Sequence, residues 1–485
     1  MKHLGPIIVV VVLLLCAAFY YSHQQATHGP EQTPPSDTGA VSTPPIFTHD
    51  ATPQPEALSA GTLTLKSSLS HGYMAQGARS ESFAAIDITA VDTHGGKRLP
   101  LNVALVIDRS GSMHGAPMEY ARQAAMQFVD QLRDGDRLAI VSFSRDVSVD
   151  FPSSPITLAR RQEMKNAIAR IQDGGATNIS DGYIAGFAEV RRWKTAQTID
   201  RVILLTDGIP NVGMTDTRDL VGLASSYQAQ GISLTTMGFG LDYNEDLMAA
   251  MADAGAGNYY FIANHYVIAG IFEREFQGLD RTVARGATVS IDVAPGVEVE
   301  KVYGFPFQQN GSRLHISLAE FAAGQNKNIL MKLRTQAAQT GSQPVLDVQL
   351  SYDDLLADRA VTQRTAVSAV VTSDARKAET MVNTDVIARV QDVEIASSMN
   401  EAMDYYQMGN AARAQEVISK QVESTRGAQK RFALPEARFE KAEKFMNANS
   451  QVIEQAPASA PAGRKAVMES KEKSRNIQLD SLESF

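Results

Sequence analysis

The chain has 485 residues, of which 44% are hydrophobic and 20% are charged, as in ordinary soluble globular proteins. This length exceeds one ordinary domain and indicates about three. A formal net charge of −9 without a basic footprint argues against a nucleic-acid partner. The sole cysteine, Cys16, lies in an N-terminal apolar stretch, so the folded part of the chain is expected to hold neither a disulfide nor a thiolate metal site.

The N-terminus has the pattern of an export signal. Lys2 and His3 precede an uncharged stretch at residues 5–22, whose length lies between that of a signal peptide and that of a membrane span. No good small-x-small cleavage pattern follows it, which favours an uncleaved anchor over a cleaved signal peptide. Lipidation at Cys16 is a third alternative, and it is disfavoured because Leu15 occupies the position where a lipoprotein needs a small residue.

The distribution of positive charge indicates on which side of a membrane the chain lies. Residues 23–65 contain no Lys or Arg, and this asymmetry predicts that the bulk of the chain is outside the cytoplasm. The expected location is the periplasm or the cell surface, with residues 5–22 anchored in the inner membrane. Residues 1–22 are thus assigned as a signal anchor or signal peptide, and a bacterial origin is expected.

A change of composition separates this segment from the first β-structured region. Residues 23–60 are rich in Pro, Thr, Ser and Gln and show no sustained apolar period, which predicts a disordered linker. From residue 61 apolar and polar residues alternate, as in two strands near residues 62–65 and 83–91. Because so few strands are not stable alone, residues 61–98 are predicted to be the first part of a β-sandwich.

Residues 101–280 alternate between buried strands and amphipathic helices. Apolar runs typical of buried strands occur at residues 103–107, 138–143, 202–205, 232–237 and 259–262. Between these runs apolar residues recur at helical spacing. The predicted fold class is therefore α/β, an open and largely parallel sheet with helices on both faces, over residues 99–283.

A two-residue apolar period returns after residue 285. It predicts that residues 284–372 are the second part of the β-sandwich, so that the α/β domain is inserted into a single sandwich. The alternative is two independent small β units, one on each side of the α/β domain.

The C-terminal part of the chain is predicted to be helical and then disordered. Residues 373–446 contain two apolar-faced helices around Gly409, and a further short helix is expected near residues 432–446. The second half of this region looks like one tetratricopeptide-type hairpin, but no repeat occurs at that family's period, so a generic helical hairpin is preferred. The polar and then charged composition of residues 447–485 predicts a disordered tail.

Small oxygen-bearing side chains follow the strands of the predicted sheet. Three segments carry them: Asp108, Ser110 and Ser112 after the first buried strand, Thr177 in the loop sequence GGATN, and Asp207 in the sequence TDG at a strand end. Ligands of open α/β sheets gather outside the carboxyl ends of the strands, so these groups are expected to meet. Two carboxylates and three hydroxyls suit Mg²⁺, with Mn²⁺ or Ca²⁺ as alternatives.

These polar residues have other possible roles. Asp108 and the serines could cap a helix and accept turn amides, the role preferred for Asp136 and Asp173. His114 lies close to Ser112 and suggests a Ser/His nucleophile, but no G-x-S-x-G motif and no third orienting group accompany it, so the chain is predicted not to be an enzyme. The GGATN loop lacks the Lys of a phosphate-binding loop, which argues against a nucleotide.

This constellation resembles the von Willebrand factor type A domain and its metal-ion-dependent adhesion site. The resemblance covers residues 101–280 and rests on the sequence DRSGS, the GGATN loop and the TDG strand end. The longer runs RVILLTDGIPNVGMTD and GISLTTMGFG are similar to the bacterial extracytoplasmic branch of the family, which resembles inter-alpha-trypsin inhibitor heavy chains.

The resemblance implies a function and a role for each site residue. Ser110, Ser112 and Thr177 would contact the metal directly, whereas Asp108 and Asp207 would bind it directly or through water. Neutral hydroxyls leave the ion electrophilic, so that it accepts a carboxylate from a protein partner at the cell envelope. Engagement would shift the last helix of the domain, residues 264–278. The alternative function is a structural or assembly scaffold of the envelope in which the metal only stabilises the fold.

Overall fold

The structure is a computed structural model that describes residues 57–59, 61–92, 98–240, 243–262, 265–337 and 339–484. The predicted anchor at residues 1–22 and all but the end of the predicted linker lie outside these residues. The end of that linker differs from the prediction, because residues 57–59 form a strand at the edge of a sheet. Within the described part of the chain, no helix combines the length and the apolar character needed to cross a membrane.

The described chain has two β-rich stretches, and between them lies one region in which strands and helices alternate. The strands are β1 (Ala57–Ser59), β2 (Leu63–Leu69), β3 (Tyr73–Ala75), β4 (Arg79–Ala90), β5 (Leu101–Asp108), β6 (Arg137–Phe143), β7 (Val147–Pro155), β8 (Ile199–Thr206), β9 (Ser233–Phe239), β10 (Ala256–Ile262), β11 (Thr282–Val293), β12 (Val297–Tyr303), β13 (Gln308–Asn310), β14 (Arg313–Ala322), β15 (Asn326–Gln336), β16 (Gly341–Asp354), β17 (Arg359–Thr372) and β18 (Glu483–Ser484).

The helices of the described residues fall into two groups, six within the α/β region and five after the last long strand. They are α1 (Ala116–Gln131), α2 (Leu158–Ala169), α3 (Ile179–Arg191), α4 (Thr217–Gln228), α5 (Glu245–Ala254), α6 (Ile268–Asp280), α7 (Ala375–Thr380), α8 (Thr384–Gln407), α9 (Ala411–Phe432), α10 (Glu436–Gln455) and α11 (Pro461–Leu482).

The α/β region is built on one sheet with the strand order β10-β9-β8-β5-β6-β7. All neighbours are parallel except β6 and β7, which form an antiparallel edge that the apolar pattern did not predict. The chain passes from β5 to β6 on one side and later to β8 on the other. Strand order therefore reverses at β5, which is where an open α/β sheet forms a ligand crevice.

Every residue of β5 is buried because helices cover both faces of this sheet. Alternate residues of a strand point to opposite faces. Leu105 and Ile107 pack in one core with Phe128 of α1 and Phe272 of α6. Val106 packs in the opposite core with residues of α3, α4 and α5. This is the predicted layered α/β fold.

The strands on either side of the α/β region form one sandwich. The first sheet has the order β1-β2-β4-β15-β12, with β18 beside β15, and the second has the order β13-β14-β11-β16-β17-β3. Residues from both sheets, such as Leu65 and Val289, pack in a single core. Asp92 and Arg281, on either side of the inserted region, are in contact, since Arg281 Nη2 lies 2.9 Å from Asp92 Oδ1. The insertion is therefore real, and two independent β units are excluded.

The C-terminal region is helical as far as Leu482, so the predicted disordered tail is wrong. α10 is longer than the short helix expected near residue 440, and α11 extends through most of the predicted tail. The polar composition of α11 did not predict a helix, because its few apolar residues enter three different cores. Val467 packs between the helices, Met468 packs in the α/β region, and Leu482 packs against the sandwich.

Candidate functional site

Asp108 ends the buried strand β5, and its carboxylate is held by two hydrogen bonds. The backbone amide of Ser110 donates to Asp108 Oδ1 at 2.7 Å, and the hydroxyl of Thr206 at the end of β8 donates to Oδ2 at 2.5 Å. Burial raises the pKa of Asp108, and these hydrogen bonds partly oppose that shift. The carboxylate is thus fixed in orientation at the switch point of the sheet.

Ser110, Ser112 and Asp207 continue from this carboxylate as a chain of oxygen atoms. The hydroxyls of Ser110 and Ser112 lie 3.0 Å apart, and the Ser112 hydroxyl donates to Asp207 Oδ1 at 2.6 Å. Ser110 and Asp207 are buried, whereas Ser112, in a 3₁₀ turn at Gly111–Met113, is exposed. The chain of oxygens therefore opens to solvent at Ser112.

The loop that carries Thr177 is bound to the end of β5 through its glycines. Gly174 and Gly175 have φ values of 144° and 97°, a backbone region that favours glycine. The Gly174 amide donates to the Arg109 carbonyl at 2.7 Å, and the Gly111 amide donates to the Gly175 carbonyl at 3.1 Å. These bonds bring the GGATN loop against the serine turn.

Gly208 shows how closely Thr177 approaches the other site residues. A Cβ atom on Gly208 would lie 2.9 Å from the Thr177 hydroxyl oxygen and 3.6 Å from the Ser112 hydroxyl oxygen. The TDG strand end therefore needs glycine at its last position because the hydroxyls converge there. All five residues that the sequence singled out lie together at one edge of the sheet.

Two supporting residues were missed by the sequence-based prediction. Thr206 holds Asp108, and Asn211 Oδ1 accepts the Thr177 amide at 2.9 Å while the Asn211 amide donates to the Thr177 carbonyl at 3.0 Å. Thr206 stands within the TDG sequence, so its place at a strand end could have identified it. For Asn211 the sequence offers no comparable signal, because its role depends on how a loop folds back.

The chemistry of the donor set fits a hard divalent cation. Carboxylate and hydroxyl oxygens are the ligands that Mg²⁺ and Ca²⁺ prefer. No group of three or more His, Cys, Asp or Glu side chains suited to a metal ion occurs among the described residues. A cation at this edge would therefore take part of its coordination from Ser110, Ser112 and Thr177.

The other polar candidates have different partners. His114 Nδ1 lies 2.8 Å from Asp173 Oδ2, and the His114 side chain is exposed, so its contact is with a carboxylate rather than with a serine. Asp136 accepts the backbone amides of Leu101 and Arg133 at 2.8 Å and 2.7 Å, as expected for a residue that satisfies turn amides. Neither aspartate belongs to the oxygen chain.

Comparisons with known proteins relate the α/β region to a family. The family model of the von Willebrand factor type A domain matches residues 102–274. The protein sll0103 of Synechocystis sp. is 28% identical over 269 residues, which are 53% of this chain and 63% of that protein. Inter-alpha-trypsin inhibitor heavy chain H3 of Bos taurus is 29% identical over 206 residues, which are 40% of this chain and 22% of that protein. The chain thus covers less than two thirds of the length of these relatives.

A solved structure shares the wider architecture. The von Willebrand factor type A structure from Catenulispora acidiphila superposes with a TM-score of 0.67 and 18% sequence identity, covering 86% of this chain and 98% of that one. This likeness confirms the predicted α/β fold, and its coverage extends beyond the domain itself. Residues 102–274 therefore match the von Willebrand factor type A domain in sequence, and they have its fold.

Proposed function

We propose that the chain binds a protein partner at the cell envelope through a divalent cation held by Asp108, Ser110, Ser112, Thr177 and Asp207. Von Willebrand factor type A domains mediate protein–protein interaction, which supports a binding function. The observation that carries the proposal is the continuous chain of oxygens from Ser110 through Ser112 to Asp207, open to solvent at Ser112. When bound, the cation, Mg²⁺ in the first instance, supplies a positive charge and a coordination position for an acidic group.

The residues of the proposed site would have different roles toward the cation. Asp108 and Asp207 would supply negative charge, and the three neutral hydroxyls would complete the donor set without neutralising the ion further. Thr206 and Asn211 would keep Asp108 and Thr177 in place, since ligands held by outer hydrogen bonds bind metals more tightly.

The surface beside Asp207 supports a protein rather than a small molecule as partner. Ile209 and Met214, in the loop that follows Asp207, are 55% and 41% exposed. Exposed apolar side chains next to a charged contact are typical of the centre of a protein interface. The partner is proposed to bring a carboxylate with apolar neighbours.

The location at the envelope is proposed from the N-terminal sequence. The apolar stretch at residues 5–22 and the absence of Lys and Arg from residues 23–65 support an inner-membrane anchor with the domain outside the cytoplasm. Fractionation of cells that produce the full chain, followed by protease treatment of spheroplasts, tests this location. Protection of the chain from external protease would contradict it.

Affinity capture from an envelope extract tests the binding function. The full chain is used as bait with Mg²⁺ or with EDTA, together with Asp108→Ala and the control Asp134→Ala, whose side chain is exposed in the turn before β6. We expect one set of partners that needs Mg²⁺, is lost with Asp108→Ala and is retained with Asp134→Ala.

Calorimetric titration with Mg²⁺ distinguishes this proposal from the alternative, in which the chain is a structural scaffold and the metal only stabilises its fold. Loss of both Mg²⁺ affinity and capture in Asp108→Ala, with unchanged thermal stability in EDTA, supports the proposal. Capture that persists in EDTA, with a metal effect on thermal stability alone, would favour the scaffold.

A further inference from the structure

A short connection joins β6 to β7 beside the oxygen site, at the same edge of the sheet. It comprises residues 144–146 and contacts the loop that carries Thr177. A Cβ atom on Gly175 of that loop would lie 3.6 Å from the backbone nitrogen of Arg145. The Gly175 carbonyl in turn accepts the Gly111 amide at 3.1 Å. The β6–β7 connection is therefore separated from the serines of the site by one loop.

Two arginines bring positive charge to the β6–β7 connection. Arg145 is exposed within it. Arg109 reaches it from the end of β5, and its Nη2 donates to the Asp146 carbonyl at 3.3 Å. Burial raises the pKa of Asp108, and the charge of Arg109 is among the influences that oppose this shift. The Arg109 guanidinium thus lies within electrostatic reach of the oxygen site as well as at the connection that carries Arg145.

The positive charge of the two arginines is not neutralised within the described part of the chain. Neither guanidinium forms an ion pair with a carboxylate there, although Asp146 is exposed in the same connection. The contact of Arg109 is with a carbonyl, which leaves most of its five N–H donors available. Asp173, in the neighbouring loop, contacts His114 instead. The chain has a net charge of −9, so this positive surface is a local feature.

The arginines and the exposed apolar side chains flank the oxygen site on opposite sides. Ile209 and Met214 follow β8, whereas Arg109 and Arg145 lie at the connection after β6, and β5 runs between these two strands. A segment of a partner that crosses the site thus meets apolar side chains on one side and guanidinium groups on the other. Guanidinium groups bind carboxylates through paired N–H donors.

We propose that the partner brings two carboxylates to this face, one that binds the cation and a second that binds Arg109 and Arg145. The inference rests on the proposed function, and it specifies the partner as an acidic protein segment with two carboxylates a few residues apart. A cation accepts one carboxylate from many partners. The two arginines add specificity, because they favour a partner whose second carboxylate lies at the matching distance.

Calorimetric titration of the full chain with two nonapeptides at saturating Mg²⁺ tests the inference. Both peptides have acetyl and amide ends and a central aspartate among glycines. The first has a glutamate three residues before and three residues after the aspartate, and the second has glutamine at these positions. An extended peptide rises about 3.3 Å per residue, so each glutamate lies about 10 Å from the aspartate.

We expect the glutamate peptide to bind about tenfold more tightly than the glutamine peptide. Three acidic residues in place of one supply a statistical factor of about three, and contact with the arginines supplies the rest. In the variant that combines Arg109→Gln with Arg145→Gln, the ratio of the two affinities should fall to about three. Both peptides are compared on the same protein, so a change in Mg²⁺ affinity cancels from this ratio.

The matched control combines Arg160→Gln with Arg191→Gln. It removes the same charge from exposed positions at the start of α2 and at the end of α3. These positions lie at the opposite end of the sheet, because Pro155, just before α2, pairs with Arg137 at the start of β6. The control should keep the tenfold ratio.

Chemical modification of the wild-type chain gives a second measurement that does not depend on a variant. With Mg²⁺ present, the glutamate peptide should slow the reaction of Arg145 with phenylglyoxal and leave that of Arg191 unchanged. Mass spectrometry of the digested chain measures both reactions. Unchanged modification of Arg145 at a saturating concentration of the glutamate peptide would contradict the contact.

The outcomes separate this inference from the proposed function. If the glutamine peptide binds with Mg²⁺ but not with EDTA, and the ratio is the same in wild type and in the variant of Arg109 and Arg145, the inference is wrong and the proposed function stands. If the glutamine peptide binds equally with Mg²⁺ and with EDTA, or does not bind at millimolar concentration, capture of a carboxylate by the cation is contradicted and both are overturned.

Discussion

At the scale of single residues, Thr206 holds the carboxylate of Asp108 in one orientation. Its hydroxyl donates to Asp108 Oδ2 at 2.5 Å and accepts the Gly208 amide at 3.2 Å. The side chain thus connects the carboxylate at the end of β5 with the turn that carries Asp207. A carboxylate that is oriented before a cation arrives loses less entropy on binding it.

Thr206→Val keeps the shape of the side chain and removes this hydroxyl. We expect Mg²⁺ affinity to fall about 10- to 100-fold, the usual effect of losing an outer hydrogen bond to a metal ligand. Calorimetric titration with Mg²⁺ measures it. Thr236→Val in β9 is the matched control, because the Thr236 hydroxyl is buried and donates to the Met248 carbonyl at 2.8 Å. Equal Mg²⁺ affinities of the two variants would contradict the role of Thr206.

The buried carboxyl group of Asp200 makes the free energy of unfolding depend on pH. It is buried at the start of β8, where Asn102 Nδ2 donates to Oδ1 at 2.6 Å, and burial raises the pKa of its carboxyl to about 6. An unfolded chain has an Asp pKa of about 3.9. Between these values the folded state holds a proton that the unfolded state has lost. Stability is therefore greatest below the lower pKa and falls as pH rises through the higher one.

Asp200→Asn should remove this contribution. The free energy of unfolding of the variant relative to wild type is expected to increase by about 2–3 kcal/mol between pH 4 and pH 7, following the shift in the pKa of Asp200. Urea denaturation of both proteins at the two pH values measures the difference. Other titrating groups cancel in the comparison, and a difference independent of pH would contradict the prediction.

At the scale of elements, α11 connects three parts of the molecule. Lys471 is 7% exposed at its side chain, and its Nζ lies 2.6 Å from Asp246 of α5 and 2.8 Å from Asp404 of α8. Arg475 Nη2 lies 2.7 Å from Asp253, also of α5. Burial lowers the pKa of Lys471, but its acidic partners outweigh burial and raise the pKa above its ordinary value. The helix thus holds the α/β region against the helical hairpin.

Lys471→Met should lower the free energy of unfolding by about 2 kcal/mol, because it leaves charged acceptors without their donor. The loss is smaller than for a fully buried pair since Asp246 and Asp404 are partly exposed. Urea denaturation measures it. Lys465→Met, on the exposed side of the same helix, is the control and should change stability by less than about 0.5 kcal/mol. Equal effects of the two variants would show that the contact is not stabilising.

At the scale of the whole molecule, a buried polar cluster joins the α/β domain to the sandwich. Arg201 lies at the start of β8. Its Nη2 is 2.9 Å from Oε2 of Glu320 in β14, and its Nη1 is 3.7 Å from Oε1 of Glu275 in α6. Glu275 also accepts from Thr235 at 2.6 Å and from Tyr260 at 3.0 Å. One guanidinium thus contacts the central sheet, the last helix of the domain and the sandwich.

Arg201→Met should destabilise the protein by about 3 kcal/mol, because it leaves the buried carboxylate of Glu275 and the half-buried carboxylate of Glu320 without their cation. Arg218→Met is the control: the Arg218 side chain is 91% exposed beside Asp216, and a change within about 0.5 kcal/mol is expected. Thermal and urea unfolding measure both. A loss for Arg201→Met no larger than that of the control would contradict a stabilising role of the cluster.

The sequence alone determined the features that local patterns encode. The apolar runs and helical periods of residues 101–280 determined the α/β layers, because strand and helix periods are local properties. The positions of Asp108, Ser110, Ser112, Thr177 and Asp207 at strand ends and in a glycine loop determined the candidate site, because the carboxyl ends of parallel strands share one edge.

Only the tertiary structure decided the features that depend on distant contacts. Strand β4 pairs with β15, which follows the inserted domain, and β2 and β4 pack in one core with other strands that follow it. No local pattern selects such partners. Thr206, Asn211 and Arg201 owe their roles to neighbours from other elements. α11 is ordered although its composition is polar, because Val467, Met468 and Leu482 each enter a core that other parts of the chain build.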